Sequence, residues 1–324
     1  MNYTDIIKRA ASLTWRYKVL WILGILLALS GGGGGNSITY TLNGNSGDMV
    51  PPTSPMWNFP DPGVIAGFVL LCCCLALVLI VVLTIVQYVA RTGLYRAVDQ
   101  IEETSAAPTW HEGLRLGWSN RAVRMFLLDL IVGIAVFLAA MLLLLVGAAP
   151  LLLLVFDNQA LRIFGIAATL GLELLVFLMI MVAAIIISVL QQFWRRQIAL
   201  DDRTIGEALS LGTEMVRRKP GDVAIFWLLM AVIGVIFAVA LIPLVIGLSL
   251  LGGGIGIGLG YAVYALTNSI GWAVLAGLPI FIVILSIPLI LVQGVYLVFE
   301  SSAWTLVYRD LRPTNEQSPE RSRS

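Results

Sequence analysis

The chain is short of charge. Asp, Glu, Lys and Arg make up 12% of its 324 residues, against ~25% in a soluble domain. With 59% hydrophobic residues, that excludes an ordinary water-facing surface. The net charge is +1, so no basic field addresses nucleic acid. Histidine occurs once, at His111, which leaves no usual ligand set for zinc and no room for most Ser-His-Asp mechanisms. The three cysteines, Cys72, Cys73 and Cys74, are consecutive. Neighbouring cysteines make poor disulfides, so they read as small apolar packing residues. H-E-x-x-H, G-x-S-x-G, a phosphate loop and C-x-x-C are all missing. The chain is therefore expected to be no enzyme, with no cofactor and no metal.

What is present is long apolar runs. About 20 apolar residues cross a bilayer core as a helix, and six segments qualify in kind: 17–30, 64–90, 122–149, 161–194, 223–251 and 271–299. The first is short, and is expected to borrow Trp15 and the first glycines or to thin the bilayer. Its basic-then-apolar order also has the form of a secretory signal ending at Ala28-Leu29-Ser30; its match to internal copies favours a retained span. Pro150 interrupts after the third run, leaving L-L-L-L-V-F as a short tail. The run G-G-G-I-G-I-G-L-G, 252–260, reads as too rich in glycine for a helix. Pro279 and Pro288 break the sixth. Residues 31–63 read as a flexible external loop and 313–324 as a disordered tail.

A second signal is repetition. T-I-G-E-A-L-S-L-G-T-E-M-V-R-R-K begins at Thr204, and its apolar positions Ile205, Ala208, Leu209, Gly212, Met215 and Val216 fall on one helix face. Thr204 and Glu207 form a T-x-x-E capping box. Ninety-five residues earlier Thr109 and Glu112 repeat it, and Gly113 and Gly117 match Ala208 and Gly212. A weaker copy 103 residues before that sets Ala10, Leu13 and Trp15 against Gly113, Leu116 and Trp118. There the box fails, and Asp5 or Thr4 is the expected cap. Each copy is an amphipathic helix that runs into a span. Such helices suit a membrane surface, where Lys8, Arg9, Arg121, Arg217, Arg218 and Lys219 would meet anionic lipid headgroups or a cytoplasmic protein partner. They serve equally as plain elbows packed against the bundle.

Basic residues set the expected orientation. Of 20 Lys and Arg, 19 lie in the N-terminus, 91–124, 195–219 and the tail, and the opposite loops hold only Arg162. Positive segments stay inside. The expected architecture is an all-α membrane protein of six transmembrane helices with both ends cytoplasmic. It is one domain, 1–312, of three helical hairpins (about 1–106, 107–202 and 203–312), each preceded by a cytoplasmic-face amphipathic helix.

Few residues promise chemistry. Glu173 sits near the middle of the fourth span, where a carboxylate must be protonated, paired or wet. It is either a proton- or cation-coupled site or a protonated carboxyl bonded between helices. Asp129 lies just past Arg121 and Arg124 and is expected to pair with one of them. Gln87, Gln191 and Gln293 recur at shifts of 104 and 102, as an inner layer of interhelical hydrogen bonds or by chance near the interface. Trp15, Trp21, Trp110, Trp118, Trp194 and Trp304 read as an aromatic belt.

The stretches Arg91 to Arg96, Arg195 to Leu200 and E-A-L-S-L-G from Glu207 to Gly212 resemble those of uncharacterised bacterial multi-pass membrane proteins. They are similar to the membrane domain fused to some glycerophosphodiester phosphodiesterases. The catalytic domain of those enzymes is missing from this sequence, so the resemblance implies an architecture and not an activity. The expected role is a non-enzymatic accessory, scaffold or lipid-interacting module of the bacterial cytoplasmic membrane. The competing reading is a small-solute or ion transporter or channel using Glu173.

Overall fold

A computed structural model describes residues 2–31, 62–104, 106, 108–156 and 158–312. The expected external loop, apart from its first residue and its last two, and the expected tail lie outside the described residues. Everything regular among the described residues is helical. Nine α-helices run in order: α1 Tyr3–Arg16, α2 Val19–Leu29, α3 Pro62–Thr104, α4 Trp110–Gly117, α5 Asn120–Gly147, α6 Gln159–Asp201, α7 Ile205–Arg218, α8 Pro220–Thr267 and α9 Ile270–Leu311. Five of the helical segments are long and apolar enough to cross a membrane, and a sixth is added if α1 and α2 count together. The protein is thus a multi-pass membrane protein by length and composition.

Several sequence expectations are corrected. The first run cannot borrow Trp15, because α1 and α2 meet at a 96° bend. The 11 residues of α2 rise only about 16 Å. Asn2, with no side-chain cap bond, starts α1 in place of Asp5 or Thr4. Helix α3 runs on through Arg91 and Arg96 to Thr104. Pro150 sits in a 3-10 turn, Ala149–Val155, rather than before a loose tail. The glycine run 252–260 is helix inside α8, and α9 continues through Pro279 and Pro288 to Leu311.

The glycines are helical because a partner replaces the missing side chains. A Cβ on Gly256 would press on Gly277 O, and one on Gly277 on Gly256 O. Removing both side chains lets α8 and α9 approach at the backbone, the way helices associate where no hydrophobic effect drives them. The cysteines behave otherwise than expected. Cys73 and Cys74 are exposed, so they face outward instead of packing; Cys72's side chain lies outside the described residues.

The short helices pack by the same device. Gly113 and Gly117 of α4 lie against α3, where a Cβ on Gly93 would meet Gly113 O and one on Gly117 would meet Val89 O. In α7 the buried residues are Ala208, Gly212 and Met215, in α1 Ile6, Ala10, Leu13 and Thr14. Helix α4 packs on α3, α7 on α6, and α1 on α9. The two capping boxes form as expected. Thr109 N donates to Glu112 Oε2 at 2.8 Å and Thr204 N to Glu207 Oε2 at 3.1 Å.

The buried core gathers at one end of the long helices. Leu20 and Leu23 of α2, Leu94 and Val98 of α3, Phe193 of α6, Phe226 of α8 and Val307 of α9 are at most 1% exposed. Trp304 stacks edge-on against Phe226 at 5.0 Å and Phe193 at 6.1 Å. It and Trp194, 3% and 8% exposed, are core residues and not part of a belt.

Candidate functional site

Within this packed end, α3, α6 and α9 bring arginines together. Arg91 comes from α3, Arg195 and Arg196 from α6, and Glu300 from α9. With Leu27, Tyr95, Gln192, Leu297, Ser301 and Trp304 they line a cavity of about 30 Å³. That is room for one or two waters. Arg195 stands 104 residues after Arg91 and Glu300 stands 105 after Arg195.

Asp129 of α5 anchors one side. Its Oδ1 accepts from Arg195 Nε at 2.9 Å, its Oδ2 accepts from Tyr88 Oη at 3.0 Å and lies 3.8 Å from Arg91 Nη1. The expected partners of Asp129 are engaged elsewhere. Arg121 donates to Ala199 O at 2.9 Å and pairs with Asp202 at 3.3 Å, and Arg124 pairs with Asp202 at 3.1 Å. Arg121 thus satisfies the last carbonyls of α6, where a cation also suits the helix dipole.

Arg196 is 1% exposed. Its Nε donates to Thr305 Oγ1 at 3.3 Å, Nη1 to Gln192 O at 2.7 Å and Oε1 at 2.9 Å, and Nη2 to Ser301 O at 3.2 Å. The Tyr95 ring covers the guanidinium at 4.4 Å. All four hydrogen-bond acceptors are neutral.

The other expected site residues lie apart. Glu173 is half-buried with its carboxyl against Gly147, where a Cβ would come within 2.9 Å of Oε1. It stands 22 residues from Arg195, about 33 Å along α6. Gln191 Oε1 accepts from Arg195 Nη2 at 3.3 Å within its own helix. No hydrogen bond joins Gln87, Gln191 and Gln293 among the described residues. The polar layer between these helices is made by arginines, one turn further along. Among the expected lipid contacts, Arg9 pairs with Glu102 and Arg218 with Glu214. Lys8, Arg217 and Lys219 are exposed.

Ties between neighbouring elements close this end. Tyr3 Oη donates to Asp222 at 2.8 Å, Arg309 pairs with Asp99 at 2.5 Å, Arg312 with Asp201 at 2.7 Å, and Tyr308 Oη donates to Asp201. The Asp222 carboxylate raises the half-buried Tyr3 phenol above its ordinary range, mainly through their hydrogen bond.

A family model matches the chain from residue 8 to residue 314. The chain belongs to DUF7544, a family of unknown function. The DUF7544 match takes in every long helix and the whole arginine layer. No curated protein and no solved structure matches the chain. No cluster of three His, Cys, Asp or Glu able to hold a metal occurs among the described residues.

Proposed function

We propose that this is a non-enzymatic accessory or scaffold protein of the bacterial cytoplasmic membrane that holds anionic lipid at its inner face. In this reading both termini are cytoplasmic and the chain is three helical hairpins, each entered by a short amphipathic helix. The likeness to the phosphodiesterase-fused membrane domains belongs to the same proposal, as architecture alone.

One observation carries the reading. The helices α1 and α4 turn tryptophans and cations outward together, and α7 turns cations outward. Trp15 is 67% exposed and Trp118 74%, and both stand beside exposed Arg16, Lys18 or Arg115. An indole so exposed is unfavourable in water and at home in the headgroup layer. Lys8, Arg217 and Lys219 make no ion pair among the described residues, which leaves them for phosphates. Transport through Glu173 has less support, since that carboxyl packs on a glycine far from the polar cavity.

The test is lipid retention. Protein purified in mild detergent should keep phosphatidylglycerol in preference to zwitterionic lipid. The triple variant Lys8→Ala, Arg217→Ala, Lys219→Ala should keep markedly less, since each cation near an anionic surface contributes about 1 kcal/mol. Equal retention by the folded variant contradicts the reading.

A further inference from the structure

Helix α7 folds back along α6. Asp202, in the left-handed region at φ 54°, turns the chain. Gly212 then stands against Trp194, where a Cβ would meet the indole at 2.6 Å, and Ala208 shares a buried cluster with Ile198. Helix α7 therefore returns toward the membrane, with Arg217, Arg218 and Lys219 at its membrane-side end. The lipid-facing stretch lies close by. Helix α6 turns large apolar side chains outward as far as Ile186, and α8 does so from Ile225. The three cations thus stand where headgroups begin.

Along the outward side of α7 runs an open trough of about 560 Å³. Gly206, Leu209, Ser210, Thr213 and Glu214 line it, and Arg217 and Arg218 line its membrane-side end. It follows the helix for about 16 Å, and a Cβ on Gly206 would meet nothing within 4 Å. This is the size of a small-ligand site, far more than a phosphate alone needs. Its donors and acceptors are sorted. Ser210 Oγ donates to Glu207 O at 3.0 Å and Thr213 Oγ1 to Leu209 O at 2.6 Å. Each hydroxyl has a single proton, so both can only accept from an occupant, and the Glu214 carboxylate also only accepts. Side-chain donors are left at the arginine end alone. Arg217 is exposed and forms no ion pair among the described residues. Arg218 holds Glu214 at 2.7 Å in an exposed pair, of little net worth in water.

We propose that this trough seats the headgroup of one anionic phospholipid that carries a polyol, such as inositol. The phosphate lies on Arg217 and Arg218, whose planar forks suit it. The polyol rises along α7 and donates its hydroxyls to Ser210, Thr213 and Glu214, while the acyl chains stay in the bilayer. This inference rests on the lipid-holding role proposed above and adds which headgroup is chosen. Charge alone selects any anionic lipid; acceptors without donors select one that brings hydroxyls.

The experiment is native mass spectrometry of the purified, detergent-solubilised full chain, titrated with phosphatidylinositol or with phosphatidic acid. Phosphatidic acid is anionic but has no headgroup alcohol. The first phosphatidylinositol should bind about tenfold more tightly than the first phosphatidic acid, the worth of one or two hydrogen bonds. Ser210→Leu fills the trough and leaves the charge unchanged. Its hydroxyl bonds only its own helix, so the chain folds, and an unchanged unfolding temperature checks this. Phosphatidylinositol should then bind no better than phosphatidic acid, whose own affinity stays the same. Gly206→Leu, into open space, should reduce the preference in the same direction. Equal affinity of the two lipids for the wild type, or a preference kept in Ser210→Leu, overturns the proposal. If that happens while the triple cation variant loses both lipids, the lipid-holding role stands and only the headgroup site fails. If the triple variant loses neither lipid, the role itself fails. Glycerophosphoinositol, the same headgroup without acyl chains, should not displace the lipid at equal concentration. Displacement would overturn the assignment to lipid, by making the trough a site for a soluble polyol phosphate.

Discussion

At the arginine end of α6, Phe193 is 1% exposed and Ile198 and Ala199 are fully covered; toward its other end Phe164, Leu170 and Leu174 are 65%, 69% and 70% exposed. The same contrast runs through α8, where Phe226 is fully covered and Leu250 and Ile257 are 73% and 75% exposed. One end of the molecule is packed like a soluble protein's interior, with hydrogen bonds and ion pairs closing it. The other end consists of helices that turn large apolar side chains outward and touch mainly through glycine. The difference follows from the solvent of each. Lipid tails replace apolar contacts at no cost, so side chains there need no protein cover and only close backbone approach holds helices together. Where headgroups and water begin, exposed leucine is unfavourable and the chain must build a core.

This contrast is open to attack by substitution. The largest effect is expected at Asp129. Asp129→Ala leaves Arg91 and Arg195 without their carboxylate and should cost about 3–5 kcal/mol, read as loss of folded protein in a denaturing-detergent titration. Glu173→Gln, in the lipid-facing stretch and without a hydrogen bond or ion pair among the described residues, should change the same titration by less than about 1 kcal/mol. Glycines give the next comparison. Gly117→Val drives a branched side chain onto the backbone of α3 and should cost about 3 kcal/mol. Gly258→Ala meets open space and should be neutral or stabilising by about 0.5–1 kcal/mol. A smaller effect is expected at the caps, where Thr109→Ala should cost about 1 kcal/mol and increase amide exchange across residues 110–117.

The smallest effect is one of pH. Hydrogen bonds from the capped backbone amides hold Glu112 and Glu207 below the ordinary glutamate range. A carboxyl with a depressed folded-state pKa stabilises above its unfolded value, and the gain is lost as pH falls through the folded one. Glu112→Gln and Glu207→Gln should therefore melt below the wild type near neutral pH, and the gap should close in acid. A gap that persists in acid would mean that these charges do not matter.

Much of the helical framework was legible in the sequence, for a physical reason. Apolar runs longer than a strand or core helix needs have few other destinies, and a T-x-x-E box reports its own hydrogen bonds. The site was less legible. Glu173 stood out because it is a lone charge in an apolar run, a test that weighs a residue against its neighbours in the chain. Arg91 and Arg196 stand out in the sequence only as members of basic stretches and Glu300 only as an interface residue, because they sit at the ends of the runs, where charge is ordinary. What makes them unusual is burial by other helices, which no local pattern reports. A trace was available in the near-equal spacing of Arg91, Arg195 and Glu300. The glycine run was misread for a related reason: glycine lowers helix propensity in water, whereas between α8 and α9 it is what permits contact.

The most direct test concerns which side of the membrane the packed end faces. With Cys72, Cys73 and Cys74 replaced by alanine, Arg217→Cys marks the end of α7 and Asn268→Cys the turn between α8 and α9. Intact cells are treated with a membrane-impermeant maleimide. The account predicts that the cysteine at 268 labels at once and that the one at 217 labels only after the cells are opened. Labelling at 217 in intact cells, with protection at 268, would contradict it.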